Sequence, residues 1–275
     1  MIGWSFWVTL LITTGLLLIS VNATEVITNP SLKAAAAFLI TGAFSWAWGK
    51  LNAHHFSPLT ALKLLKIYLR FQSKLRISFA YLVRVKVDDH YVLIRNHKQT
   101  DKNLSQKYQP VGGVFRMFGQ ERLCREYGMI DDVMADSPSD DFRKRLKNPF
   151  SIFKILKWFD TKEHVESAPF REFYEELIEP GILPVDLFAS VCFEKVRVEK
   201  LPAVWSKFLR IYEYKIFEIY EAKLSDDQVN ALRQLMTKPN SECVFLRYDY
   251  IKNQSGKDHD LSIGPLITEH SHYIL

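Results

Sequence analysis

Two long apolar runs open the chain and predict membrane-spanning helices. The first covers residues 2–21 ("IGWSFWVTLLITTGLLLISV") and the second covers 34–49, and neither contains a charged side chain. Twenty residues at about 1.5 Å each cross a hydrocarbon core about 30 Å thick. The second run is shorter, but Lys33 and Lys50 at its ends can reach the lipid headgroups. We therefore expect a transmembrane helical hairpin over residues 1–50.

A cleaved signal peptide is the alternative for the first run, because "VNA" at 21–23 has the small-residue spacing of a cleavage site. Against it, no Lys or Arg precedes the run, and the second run follows at once. The segment after the hairpin is basic and contains no acid before Asp88. Since positive loops stay in the cytoplasm, both termini and the rest of the chain are expected there.

Residues 57–71 ("SPLTALKLLKIYLRF") predict a helix within a basic amphipathic linker at 51–76. It either lies on anionic lipid or packs on the following domain. Small residues recur at every fourth position of both predicted spans, which lets helix backbones approach closely in lipid. Either the two spans pack on each other, or copies of the hairpin assemble. These small residues are Ser5, Thr9, Thr13, Ala37, Thr41, Ser45 and Gly49.

From residue 77 the pattern becomes that of an α+β domain extending to residue 275. Strand-like alternation occurs at 77–98, as a hairpin, and at 108–117, 208–224 and 243–251. Ser225 followed three residues later by Gln228 predicts a capped helix over 225–236. Residues 118–166 look like a polar, irregular insertion in which the charge runs are solvated and the aromatic 148–159 packs against the domain or a partner.

The amino-acid composition agrees with a globular domain and leaves the predicted elements unchanged. The chain has 275 residues, 48% apolar and 24% charged, with a net charge of +5, which is ordinary for a globular domain. Three cysteines, at 124, 192 and 243, lack metal-ligand spacing, and we expect reduced, mostly buried thiols. The predicted spans contain no charge, which argues against an ion-coupled transporter.

The segment "APFREFYEEL" (168–177) carries the candidate chemistry. Ser167 and Pro169 predict a helix start and Pro180-Gly181 predicts its end. On that helix Glu172, Glu175 and Glu176 fall at i, i+3 and i+4 and share one face. Like charges at these spacings repel one another, and a divalent cation bound to the carboxylates would replace this repulsion with attraction. Without a cation, the cluster is a solvated acidic face with an Arg171–Glu175 surface pair.

The same run resembles the signature of Nudix hydrolases, G-x5-E-x7-R-E-U-x-E-E-x-G-U, where U is apolar. The resemblance implies an α/β/α sandwich over residues 77–275. Three positions depart from it, since Lys157 and Ile178 replace the glycines and Glu179 replaces the last apolar residue. The positions that match are Glu163, Arg171, Glu172, Phe173, Glu175 and Glu176.

This resemblance also implies roles for the residues. Glu175 and Glu176, with the Gly113 carbonyl, would bind Mg²⁺ or Mn²⁺. Glu172 would orient or deprotonate a water, and Arg171 would hold the carboxylates in place. The implied reaction is water attack on a phosphoanhydride.

The order of spans, basic segment and divergent Nudix-like domain resembles bacterial membrane effectors with a SMODS-associated Nudix domain, from cyclic-oligonucleotide-based antiphage systems (CBASS). That resemblance implies a cyclic nucleotide ligand, and disruption of the inner membrane that kills the infected cell. It also implies contact with the bilayer, homo-oligomers formed through the spans, and no nucleic acid polymer as partner. Candidate nucleotide-binding residues, chosen by position, are Arg84, Arg95, Tyr108 and Arg116.

Three hypotheses for function follow. The first is this ligand-gated membrane effector. The second is a membrane-tethered, Mg²⁺-dependent Nudix pyrophosphohydrolase acting on a nucleoside diphosphate derivative, with the hairpin as an anchor. The third is an adaptor whose insertion at 118–166 binds a protein partner.

Overall fold

A computed structural model describes residues 75–96, 107–132, 141–166, 169–206, 209–238, 240–257 and 264–275. The predicted transmembrane hairpin and the linker up to residue 74 lie outside the described residues. Linker residues 75 and 76 begin the first strand instead. Within the described ranges, no helix has the length and apolar character needed to span a bilayer.

Nine strands and six helices form the described part of the chain. The strands are β1 (Leu75–Arg84), β2 (Lys86–Val87), β3 (His90–Arg95), β4 (Tyr108–Val114), β5 (Met129–Asp131), β6 (Arg143–Leu146), β7 (Cys192–Ser206), β8 (Ile211–Lys223) and β9 (Cys243–Arg247). The helices are α1 (Gln120–Tyr127), α2 (Ile152–Thr161), α3 (Phe170–Phe173), α4 (Val185–Phe188), α5 (Asp226–Met236) and α6 (Tyr248–Gln254). Two 3₁₀ turns cover Pro149–Ser151 and Glu269–Ile274, and one π-helical turn covers Tyr174–Ile178.

Strand β1 is the centre of the sheet. It pairs in parallel with β8 along one edge, and antiparallel with β4 and then β6 along the other. Strand β7 pairs with the outer edge of β8, while β3 joins β4 to β9. Nearly every residue of β1 is buried, as expected for a strand covered on both faces. The fold is mixed α/β, in agreement with the predicted class.

The two faces of β1 pack against different elements. On one face Phe79 contacts Phe159 of α2, with ring centroids 4.6 Å apart, and Tyr81 contacts Phe115 at 5.1 Å. On the other face Phe217, paired with Ala80, contacts Tyr273 of the last 3₁₀ turn at 5.2 Å. The sheet therefore lies between α2 and the C-terminal turn.

Several predicted elements are confirmed. The hairpin at 77–98 is β1 to β3, the extended segment at 108–117 contains β4, and the strand at 208–224 is β8. The helix at 225–236 has the predicted capping box between Ser225 and Gln228. All three cysteines are free, although Cys192 is exposed, contrary to the expectation of mostly buried thiols.

Other predictions are wrong. The insertion at 118–166 is not irregular, because it contributes α1, β5, β6 and α2 to the domain, with Ile152, Ile155 and Leu156 of α2 buried as the aromatic pattern predicted. The basic run at 143–147 is not simply solvated: Lys144 pairs with Ile77 in the sheet and its buried amine donates to Asp131 at 2.7 Å. Residues 248–251 form part of α6 instead of continuing a strand.

The capping box of α5 gives a direct test of local stability. Replacing Ser225 with Ala removes the acceptor for the Gln228 backbone N–H. We expect urea unfolding of the full chain to show a loss of about 1 kcal/mol in the free energy of unfolding. The Ser241→Ala variant, whose exposed hydroxyl donates to the neighbouring Glu242, should lose much less. Equal losses would contradict the assignment.

Candidate functional site at the acidic helix

The acidic segment is one α-helical turn followed by a π-helical turn. Helix α3 covers Phe170–Phe173, and the π turn covers Tyr174–Ile178, where the Glu179 N–H donates to the Tyr174 carbonyl at 2.8 Å. The segment ends before Pro180-Gly181, as predicted. A regular α-helix throughout was the wrong expectation, because a wider turn changes the angle between Glu172 and the two later glutamates.

Arg171 forms hydrogen bonds that connect this segment to its surroundings. Its Nε donates to both oxygens of Glu166, at 2.9 and 3.1 Å, and its Nη1 donates to Glu172 at 2.5 Å and to Glu175 at 3.1 Å. Its Nη2 donates to the carbonyl of Val114 in β4 at 3.1 Å. Burial opposes the charge, but the carboxylate of Glu172 and its neighbours raise the pKa of Arg171. One guanidinium thus joins the helix to the sheet.

The two glycines of β4 let glutamate side chains lie close to the strand backbone. The N–H of Gly112 donates to Oε2 of Glu176 at 2.8 Å. A methyl group built on Gly113 would lie 1.9 Å from Oε1 of Glu172, so a larger residue there would force that carboxylate to move from its position beside Arg171. Glycines inside a strand mark a bulge or a close approach to the backbone, and here the approaching groups are acidic side chains of the same chain.

The fit of this site to a metal can be judged from its donors. Carboxylate and carbonyl oxygens are the ligands that Mg²⁺ prefers. Glu172 and Glu175 are already paired with Arg171, and Glu176 accepts the Gly112 N–H. Within the described ranges, no three His, Cys, Asp or Glu side chains are grouped so as to hold a metal ion. The residues therefore do not form a preorganised metal centre, and the ligand set Glu175, Glu176 and Gly113 stays a prediction.

Of the four candidate nucleotide-binding residues, Arg116 lies beside the acidic helix. Its Nη2 is 3.9 Å from Oε1 of Glu175. Arg95 and Tyr108 face each other in the β3–β4 register, and the Tyr108 hydroxyl donates to the Ser241 carbonyl at 3.0 Å. Tyr108 precedes Gly112 by four residues, or about 13 Å along a strand.

Arg84 lies at another place in the fold. Its Nε donates to the carbonyl of Ile274 at 2.5 Å and its Nη2 to that of Leu275 at 2.6 Å. These contacts lie with the C-terminal turn, on the face of the sheet opposite Tyr81. The four candidates are thus spread over three locations, and no single ligand phosphate could contact them all.

Sequence reasoning missed two residues of the site. Glu166 pairs with Arg171, whereas Glu163, which matches the Nudix signature, is exposed. Tyr81 is fully buried beneath the helix, and burial raises the pKa of its hydroxyl. Alternation along β1 could have placed Tyr81 on the face of Phe79, but no spacing rule points to Glu166.

The close approach of Gly113 and Glu172 predicts a compensating pair of substitutions. Gly113→Ala forces the added methyl into the Glu172 carboxylate and should cost about 1–3 kcal/mol in urea unfolding. Adding Glu172→Ala removes the clash, so the double variant should be more stable than the sum of the two single effects predicts. Additive effects would contradict the contact.

Comparison with known proteins identifies the domain. The family model of the SMODS-associated NUDIX domain matches residues 74–275. A solved bifunctional NMN adenylyltransferase/ADP ribose pyrophosphatase from Francisella tularensis matches with 11% identity over 87% of this chain, at a TM-score of 0.24. The chain spans about half the length of that solved structure (50%), and at this TM-score the likeness supports no argument.

No curated protein sequence matches the chain significantly. The family match covers most of the chain and all of the described elements, from β1 to the last 3₁₀ turn. The chain therefore belongs to the SMODS-associated NUDIX domain family.

Proposed function

We propose that this protein is a membrane-anchored effector of a bacterial cyclic-nucleotide antiphage system. Its Nudix-type domain binds a cyclic nucleotide, and the N-terminal spans then assemble and disrupt the inner membrane. The soluble domain and both termini lie in the cytoplasm. The observation that carries the proposal is the family match over residues 74–275, which places a Nudix-type domain in a defence-associated family.

The order of segments in the chain supports the membrane step. Two uncharged runs precede the family domain, and a segment with Lys63, Lys66 and Arg70 connects them to it. Cationic segments of this kind bind the anionic cytoplasmic leaflet. A ligand-driven change in the domain would therefore act on spans that are attached close to it in sequence.

The acidic helix supports binding without turnover. Arg171 holds Glu172 and Glu175, as the family resemblance implies, but the Gly112 N–H binds Oε2 of Glu176, a carboxylate that the resemblance assigns to the metal. These contacts stabilise the helix against the strand and leave the carboxylates engaged. The domain is then best suited to recognise a ligand as a rigid unit.

The proposal predicts ligand-dependent leakage from liposomes containing the full chain. A panel of cyclic di- and trinucleotides should include one that releases an encapsulated dye and shifts the protein to higher oligomers. Replacing Ala37 and Thr41 with Leu fills the small-residue face of the second predicted span. This variant should bind the nucleotide with unchanged affinity and release little dye.

The matched control is Phe38→Leu, which changes a large residue of the same predicted span and should leak as the wild type does. If no cyclic nucleotide in the panel binds the wild-type chain or causes leakage, the effector proposal is wrong.

Hydrolysis is the second candidate, favoured by Glu172 and Glu176, which meet β4 at Gly113 and Gly112. Glu175 lies beside them, bound to the same Arg171 as Glu172. If the chain is a hydrolase, phosphate release from nucleoside diphosphate derivatives will require Mg²⁺ and fall at least about a hundredfold in Glu176→Gln. Glu179→Gln, an exposed neighbour, is the control. The effector proposal expects no release above background in any of these proteins.

A further inference from the structure

A cleft of about 430 Å³ lies between α2 and the β7–β8 hairpin. Three lysines line it: Lys162 follows the end of α2, and Lys195 and Lys200 lie on β7. Its volume falls in the range of about 300–1,000 Å³ that is usual for small-molecule sites. The Phe159 ring of α2 and Val198 supply apolar surface beside the amines.

A buried carboxylate organises two of these lysines. The side chain of Glu218 on β8 is 3% exposed, and its Oε1 accepts hydrogen bonds from Lys162 and Lys195, both at 2.7 Å. The Tyr220 hydroxyl donates to its Oε2 at 2.8 Å. An ammonium has three donors, so each lysine keeps N–H groups for a ligand in the cleft.

The charge balance of the cleft favours an anion. Three lysines face two carboxylates, Asp160 and Glu218, which leaves a net charge of +1 on the lining. Burial disfavours the charged carboxylate, but Lys162 and Lys195 hold the pKa of Glu218 below its usual value. Glu218 is therefore ionised at neutral pH and keeps the two ammonium groups together at the cleft.

The orientation of Lys162 comes from the end of α2. Lys162 adopts a positive φ of 59°, which turns the chain at the C-terminus of the helix. Its amine lies 3.3 Å from the centroid of the Phe159 ring and 4.8 Å from that of Phe115. Cation–π contacts of this kind keep the charge on the face of the sheet that carries the acidic helix.

We propose that this lysine cleft binds the phosphate groups of the nucleotide ligand; this inference rests on the function proposed above. Ammonium groups recognise phosphate oxygens as point charges, and three of them converge here. The cleft connects to the acidic helix through aromatic contacts, since the Tyr220 ring packs edge-on against Tyr81 at 6.5 Å. Tyr81 in turn lies beneath Arg171 and Glu172, whose charges act on its hydroxyl.

The test compares the full chain in nanodiscs with two double variants of equal charge change. Lys195→Gln with Lys200→Gln alters the cleft at exposed residues, while Lys223→Gln with Lys252→Gln alters exposed lysines outside it. Calorimetry against the cyclic di- and trinucleotide panel should show the cleft variant binding at least about tenfold more weakly than wild type, the usual effect of losing charged hydrogen bonds. The control variant should bind as wild type does.

The alternative results separate the two proposals. If the wild type and the cleft variant bind the same nucleotide equally, the cleft inference is wrong and the effector function stands. If no nucleotide binds the wild type, the effector function fails. Inorganic pyrophosphate then tests whether the cleft binds phosphate groups. If the cleft is a phosphate site, pyrophosphate should raise the thermal stability of the wild type and the control variant but not that of the cleft variant. Any other pattern would overturn the inference.

Discussion

The Arg171 guanidinium is the interaction on which the candidate site depends. It has five N–H donors in a rigid fork, and they reach three separate segments. Glu166 precedes the helix, Glu172 and Glu175 belong to it, and the Val114 carbonyl belongs to β4. Because one side chain makes all these contacts, the acidic segment, the strand and the end of the insertion are held as one unit.

This arrangement gives one face of the sheet two sites of opposite charge. Glu172 and Glu176 of the acidic segment meet β4, while the lysines of the cleft lie over β8 and β7. Tyr81 and Tyr220 lie between the two sites, and their rings pack against each other. A nucleotide held by its phosphates at the cleft would therefore act on elements that pack against the acidic helix, while the carboxylates stay engaged with protein donors.

Local rules sufficed to predict part of the fold from the sequence. Alternation in 77–98 and 208–224 predicted β1 to β3 and β8, and Ser225 with Gln228 predicted the start of α5. Such patterns are decided by neighbouring residues. Glycines inside a strand mark a bulge or a close approach to the backbone, and Gly112-Gly113 lie where Glu172 and Glu176 reach β4.

The remaining features depend on partners far apart in the chain. Lys144 looked solvated within a basic run, yet pairing with β1 buries it against Asp131. Strand β7 was missed because charges and Pro202 interrupt its pattern, as is common for a strand at a sheet edge. The lysine cleft combines residues from α2, β7 and β8, so no single stretch of sequence contains it.

Amide hydrogen exchange of the full chain, compared between wild type and Arg171→Lys, tests the central claim most directly. Lysine keeps the charge but loses the fork that reaches helix and strand together. The account predicts that exchange in 111–114 of β4 and in 170–178 rises together by about tenfold or more, while β9 stays unchanged. Unchanged exchange in β4, or an equal rise throughout the domain, would contradict the role given to Arg171.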